Sequence, residues 1–133
     1  MTILVGLFSR IPKDPQKKRN LEKLKEIKKL VKEKKYDAAL KSGKDFLYKV
    51  PHHHDVLFTM GGIYHLQNKH KTAISYFDKA LEIASYDVEV LLLKAYSHQK
   101  LAENKRAIQC CEKIQEIDPK NKAVLVLLEE LNS

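Results

Sequence analysis

Three consecutive imidazoles, His52-His53-His54, and two adjacent thiols, Cys110-Cys111, are the side chains of this sequence best suited to hold a metal or attack a substrate. Imidazole is a common ligand for zinc, copper and nickel. Neighbouring residues rarely converge on one ion without a fourth partner and an ordered outer shell, however. The triplet also follows Pro51, where a surface turn is expected. Adventitious nickel affinity is the expectation, and no metal site. His65, His70 and His98 are scattered along helical segments and read as surface or groove residues. Adjacent cysteines are poorly placed for an ordinary disulfide, and no third cysteine exists. A reduced cytosolic setting is the simplest reading, with the two thiols as core and surface fillers. There is no glycine-rich phosphate loop, no nucleophile elbow and no serine, cysteine or histidine set of fixed local geometry. The carboxylates form no pair distinguishable from solvated helix faces. The chain therefore reads as non-catalytic, with no cofactor.

What would position any functional side chain is a repeat. Tyr36-Asp37-Ala38-Ala39-Leu40 is echoed by His70-Lys71-Thr72-Ala73-Ile74 and again by Asn104-Lys105-Arg106-Ala107-Ile108, with Ala39, Ala73 and Ala107 in one phase. Pro51, Ser85 and Pro119 mark the ends of the three segments at the same spacing. Leu57, Met60, Gly61 and Tyr64, then Ala73, Ile74, Phe77, Ala80 and Leu81, recur at helical three-and-four spacing, so each unit predicts two helices. The polar run Gln67-Asn68-Lys69-His70 separates them. Ser85 and Asp87 offer a cap before Val88, and Asp118-Pro119-Lys120-Asn121 supplies the next boundary. Small residues at 39, 61, 73, 95 and 107 sit where helices must approach closely. One helix pair cannot bury its own apolar face, so neighbours must stack. Lys122–Leu131 reads as a last helix covering the open end, with Glu129-Glu130 outward. The expected organisation is an arm over 1–19, units of equal length over 20–53, 54–87 and 88–121, and a capping helix over 122–133.

The 133 residues are 44% apolar and 32% charged, which suits one folded helical domain. Net charge is +8, and all of it lies early. Residues 1–35 carry 12 Lys/Arg against 4 Asp/Glu, whereas residues 36–133 carry 13 of each. No stretch approaches the roughly 18 to 20 apolar residues that span a bilayer. The opening Met-Thr-Ile-Leu-Val-Gly-Leu-Phe lacks a preceding positive charge and a following cleavage site, against a secretory signal.

These units resemble tetratricopeptide repeats. Unit two carries Leu57, Met60, Gly61, Tyr64, Ala73, Phe77 and Ala80 at the signature positions, and unit three carries Leu91, Ala95, Ala107, Ile114 and Pro119. His98 and Cys111 depart from the usual aromatic residues. Unit one has Leu30, Tyr36, Ala39, Phe46 and Pro51, with Ile27 at the small-residue position. The resemblance implies an all-α fold, a right-handed α-solenoid of antiparallel helix pairs, that binds protein or peptide in a concave groove lined by the first helix of each pair. Carried over by position, that groove comprises Leu24 and Lys28 in unit one. Unit two supplies Asp55, Phe58, Thr59, Gly62, His65 and Leu66. Unit three supplies Glu89, Leu92, Leu93, Tyr96, Gln99 and Lys100, with Val126 and Leu127 behind. Relatives that bind chaperone tails clamp a carboxylate with lysine, asparagine and arginine. The matching positions here are Leu24, Lys28, Thr59, Glu89 and Leu93, which disfavours that ligand; an apolar-anchored segment fits better.

Within Leu21–Lys35, Leu24, Ile27, Leu30 and Val31 form an apolar stripe surrounded by lysines. Three readings compete: a solvated outer face with snorkelling lysines, an anionic membrane surface, or non-specific contact with nucleic-acid phosphates. Nucleic acid is disfavoured by the lack of interleaved aromatics and of a recognised nucleic-acid fold. Ile3, Leu4, Val5, Leu7 and Phe8 suggest a segment that docks in a groove, its own or another copy's, the latter giving a homo-oligomer. The expected role is an adaptor or scaffold in the cytoplasm. A peripheral organiser at a membrane or organelle surface is the alternative.

Overall fold

A computed structural model describes residues 13–133; the N-terminal segment expected to dock in a groove lies outside them. Among the described residues there are seven helices: α1 Pro15–Lys32, α2 Tyr36–Lys49, α3 His54–Leu66, α4 His70–Ile83, α5 Val88–Lys100, α6 Asn104–Ile117 and α7 Lys122–Asn132. They fall into two compact units, the first ending at Lys49 and the second running from Val50 to Ser133.

In the first unit α1 packs on α2. Its start is set by Asp14, whose carboxylate accepts from the Gln16 N–H at 2.9 Å, followed by Pro15, whose missing N–H costs nothing at a helix start. The lysine-dense helix thus begins ahead of position 20, where the first repeat was expected to open. Leu24 and Ile27 are buried, as are Ala39, Leu40, Gly43 and Phe46 on α2.

In the second unit α3 packs on α4, α4 on α5, α5 on α6 and α6 on α7. The core runs through Val56, Leu57, Met60, Ile63, Phe77, Val90, Leu91, Ala95, Ile114, Val124 and Leu127. Both cysteines belong to it and neither is a surface filler: Cys110 is 7% exposed and Cys111 fully buried, both as free thiols. Burial pushes both thiols up, Cys111 to about 11 with further help from Cys110 and Glu112, so neither is a ready nucleophile.

The repeat is written into the backbone. Lys34, Asn68 and Ala102 occupy the same place in successive units and have φ of 60°, 60° and 58°. At each, the chain leaves the first helix through one bonding pattern, in which the N–H of Lys35, Lys69 or Glu103 donates to the carbonyl of Leu30, Tyr64 or His98. Helix starts repeat as well. His53, Asp87 and Asn121 accept through their side chains from the N–H of Val56, Val90 and Val124 at 3.4, 3.3 and 3.1 Å. All three valines are completely buried, so each cap fixes a core residue.

Candidate functional site

The first helices of the second unit, α3, α5 and α7, carry the residues expected to line a groove. Polar contacts tie them in sequence. His54 Nε2 lies 3.0 Å from Asp87 Oδ2, joining the start of α3 to the cap of α5. Farther along, His65 Nδ1 and Ser97 Oγ share a hydrogen bond of 3.0 Å. From α5, Gln99 Nε2 donates to Glu130 Oε2 on α7 at 2.9 Å. The histidine triplet is thereby divided: His52 is exposed, His53 caps α3 and His54 faces Asp87. Among the described residues no group of three or more His, Cys, Asp or Glu is placed to hold a metal.

Two histidines read as surface or groove residues are in the interior. His70 is 8% exposed and packs edge-on against His65 at 5.0 Å. His98 is 4% exposed, with Nδ1 at 3.1 Å from Glu103 Oε1. His98 is the unit-three counterpart of the buried Tyr64, in a core column of the repeat, and that register was the signal for its burial. His65 is half-buried, and burial first, then His70 and Lys100, holds its pKa below the ordinary 6.5.

The expected groove positions have different fates. Leu24 is only 7% exposed and offers little to a ligand, whereas Lys28 is exposed. Phe58 is half-buried and tilts against Phe77 with ring centres 6.3 Å apart. Leu92 and Tyr96 flank the buried cluster of Leu91, Ala95, Cys110, Cys111, Ile114, Val124 and Leu127, so part of each side chain is core. Leu127 itself is 1% exposed and contributes no surface. Thr59 donates to its own helix, at the Asp55 carbonyl, 2.7 Å away. Leu93 is half-buried; Asp55 and Glu89 lie at the first turns of α3 and α5, and Lys100 is exposed at the end of α5.

Open apolar surface remains at Leu66, Leu125 and Val126, of which Val126 is 55% exposed. Leu125 was not foreseen, although it lies beside Val126 on α7. Phe58, Leu92 and Val126 share one repeat phase and form an apolar row along the first helices. Next to it, a Cβ built on Gly62 would meet nothing within 4 Å, whereas one on Gly61 would overlap the ring of Phe77. The two adjacent glycines thus differ: Gly61 seats a core ring and Gly62 leaves open space beside the row.

A separate cleft of about 560 Å³ opens between α4, α5 and α6, away from this face. Its lining is mixed in charge, and its Lys94 pairs with Asp78 at 2.6 Å.

The tetratricopeptide repeat sequence model matches residues 54–87 and 88–121. No curated protein is similar to the chain in sequence. Solved structures are similar in fold. The first tetratricopeptide domain of Spaghetti (RPAP3), bound to the HSP90 peptide SRMEEVD, superposes with a TM-score of 0.81 at 19% identity, over 90% of this chain and 93% of that one. The second such domain of human RPAP3, in complex with the HSP70 peptide SGPTIEEVD, gives 0.79 at 15% identity, over 85% and 94%. The Arabidopsis OM64 domain gives 0.78 at 15%, over 85% and 93%. The shared fold is the tetratricopeptide α-solenoid.

Proposed function

The chain belongs to the tetratricopeptide repeat family, and from that premise we propose that it is a non-catalytic adaptor or scaffold module holding a partner peptide or helix on its first-helix face. One observation carries this reading: the in-phase row Phe58, Leu92 and Val126, flanked by the open position at Gly62 and by exposed Leu66. Apolar residues at equivalent places on successive helices match anchors spaced along a helix or extended segment. The two RPAP3 domains hold peptides ending in Glu-Glu-Val-Asp. At the matching positions this chain has Leu24, Lys28, Thr59, Glu89 and Leu93, one cation and one carboxylate among them. A terminal carboxylate would gain little here and would meet Glu89, so the ligand class we assign is apolar-anchored and not acidic-tailed.

Panning a displayed peptide library on the full chain tests this. Enrichment of sequences with apolar residues at helical or alternating spacing, lost in a Gly62→Leu/Leu66→Glu/Val126→Glu variant that keeps its circular dichroism, is expected. Enrichment of acidic carboxy-terminal tails would sink the reading. Ile3, Leu4, Val5, Leu7 and Phe8 of the chain itself are a second candidate occupant, in the same copy or another. Light scattering before and after removal of residues 1–12 distinguishes assembly through this segment from a chain that does not use it. A cytoplasmic location is part of the proposal.

A further inference from the structure

The cationic residues of α1 surround its buried apolar side, and some of them line up along the helix. Lys18, Leu21, Lys25, Lys28 and Lys32 follow one another at alternating three-and-four spacing, so they form one stripe along the helix. All five are exposed, Leu21 to 38%. Glu26 pairs with Lys23 at 3.4 Å and Glu33 with Lys29 and Lys35 at 4.0 and 3.1 Å, while exposed Glu22 borders the stripe, four residues from Lys18 and three from Lys25. Among the described residues none of the four stripe lysines makes an ion pair. The apolar side of α1, Leu24 and Ile27, is buried in the protein and is not available to insert elsewhere.

We propose that this stripe is an adsorption surface for an anionic lipid bilayer. Lys18 to Lys32 covers about 21 Å of straight helix, and side chains on one stripe reach a plane together. A flat, diffuse charge suits lysine, whose ammonium is a point charge on a flexible stem, better than it suits a site needing bidentate recognition. Leu21, in the stripe, finds apolar contact at a lipid interface, whereas a phosphodiester backbone offers it none. No aromatic residue lies on α1 on which a base could stack. Contact is electrostatic and peripheral, because the apolar side of the helix is already used by the fold. Leu21, Lys25, Lys28 and Lys32 are the unit-one counterparts of Asp55, Thr59, Gly62 and Leu66, so the stripe shares the repeat phase of the peptide-binding face. The residues replaced below are none of those replaced in the peptide test, and the two readings fail separately.

The full chain is sedimented with vesicles of phosphatidylcholine alone or with phosphatidylserine at about a third of the lipid. Binding only to the anionic vesicles is expected, with release near 1 M salt, where the screening length falls to about 3 Å. Each lysine near such a surface contributes about fivefold to partitioning. Replacing Lys18, Lys25 and Lys32 by glutamate therefore lowers it by on the order of 100-fold or more. Replacing Lys105, Lys120 and Lys122 by glutamate makes the same change in net charge and leaves it within about fivefold. If circular dichroism shows that the first variant is unfolded, glutamine at the same three positions replaces it. Three outcomes overturn the proposal: no binding to anionic vesicles, equal losses in the two variants, or displacement of the chain from vesicles by a DNA duplex held through the same lysines.

Discussion

Gly61 and Phe77 define each other. The ring fills the volume that a side chain at 61 would need. In unit three the same two positions hold Ala95 and Cys111, a methyl added on one helix and a ring removed from the other. Unit one inverts the exchange, with Ile27 large and Gly43 small, and both are buried. Size is thus balanced across the pair and not fixed at either position. Gly61→Ala is expected to destabilise the protein by about 1–3 kcal/mol in denaturant titrations. Cys111→Phe should cost a similar amount alone and recover much of it when combined with Ala95→Gly. His65 gives a pH dependence at the same scale. Its folded pKa lies below the ordinary 6.5, so the unfolded chain takes up the proton first as pH falls. Stability therefore rises with pH through this window and drops below it. Thermal melts from pH 7 to pH 5 should show the loss, and His65→Gln should reduce it.

At the scale of the element, the turns at Lys34, Asn68 and Ala102 carry the repeat more strictly than the helices do. A left-handed residue with a Cβ costs about 1–2 kcal/mol, and asparagine tolerates it better than alanine. Asn68 fits its turn chemically; Ala102 does not. Ala102→Gly removes that cost against a backbone-entropy loss of about 0.5–1 kcal/mol. A net gain of several tenths of a kcal/mol or more in unfolding free energy is expected, with the same substitution at Asn68 close to neutral. The caps follow the same period, His53, Asp87 and Asn121, while α1 starts elsewhere, at Asp14-Pro15. Arg19 occupies the equivalent of the cap position in unit one and has no short acceptor side chain, so the helix runs past it.

At the scale of the second unit, α7 covers the end of the stack. Val124 and Leu127 are buried against Leu91 and Ile114, while Leu125 and Val126 face outward. Ending the chain at residue 121 uncovers that cluster, and burial of two such side chains is worth about 3–6 kcal/mol. Urea denaturation of residues 1–121 should show a loss of that order. The same arrangement leaves α7 with an apolar outer edge, Leu125 and Val126, that the described fold does not cover.

The repeat period, the helix pairs and the membership of Leu57, Phe77, Ala95 and Ile114 in a core were legible in the chain alone, because helical spacing and repeat phase are local properties. Position in a repeat also located the face on which Phe58, Leu92 and Val126 sit. The depth of each residue on that face was decided only by packing. Leu92 and Tyr96 sink against the cluster under α5, and Val126 stands out because none of the described helices packs over it. His70 and His98 are buried, although their polarity suggested surface; for His98 only its repeat register with Tyr64, and not its residue type, pointed inward. The excess of lysine before residue 36 was plain from composition, but which lysines of α1 pair with Glu26 and Glu33 appeared only once the side chains had partners in space.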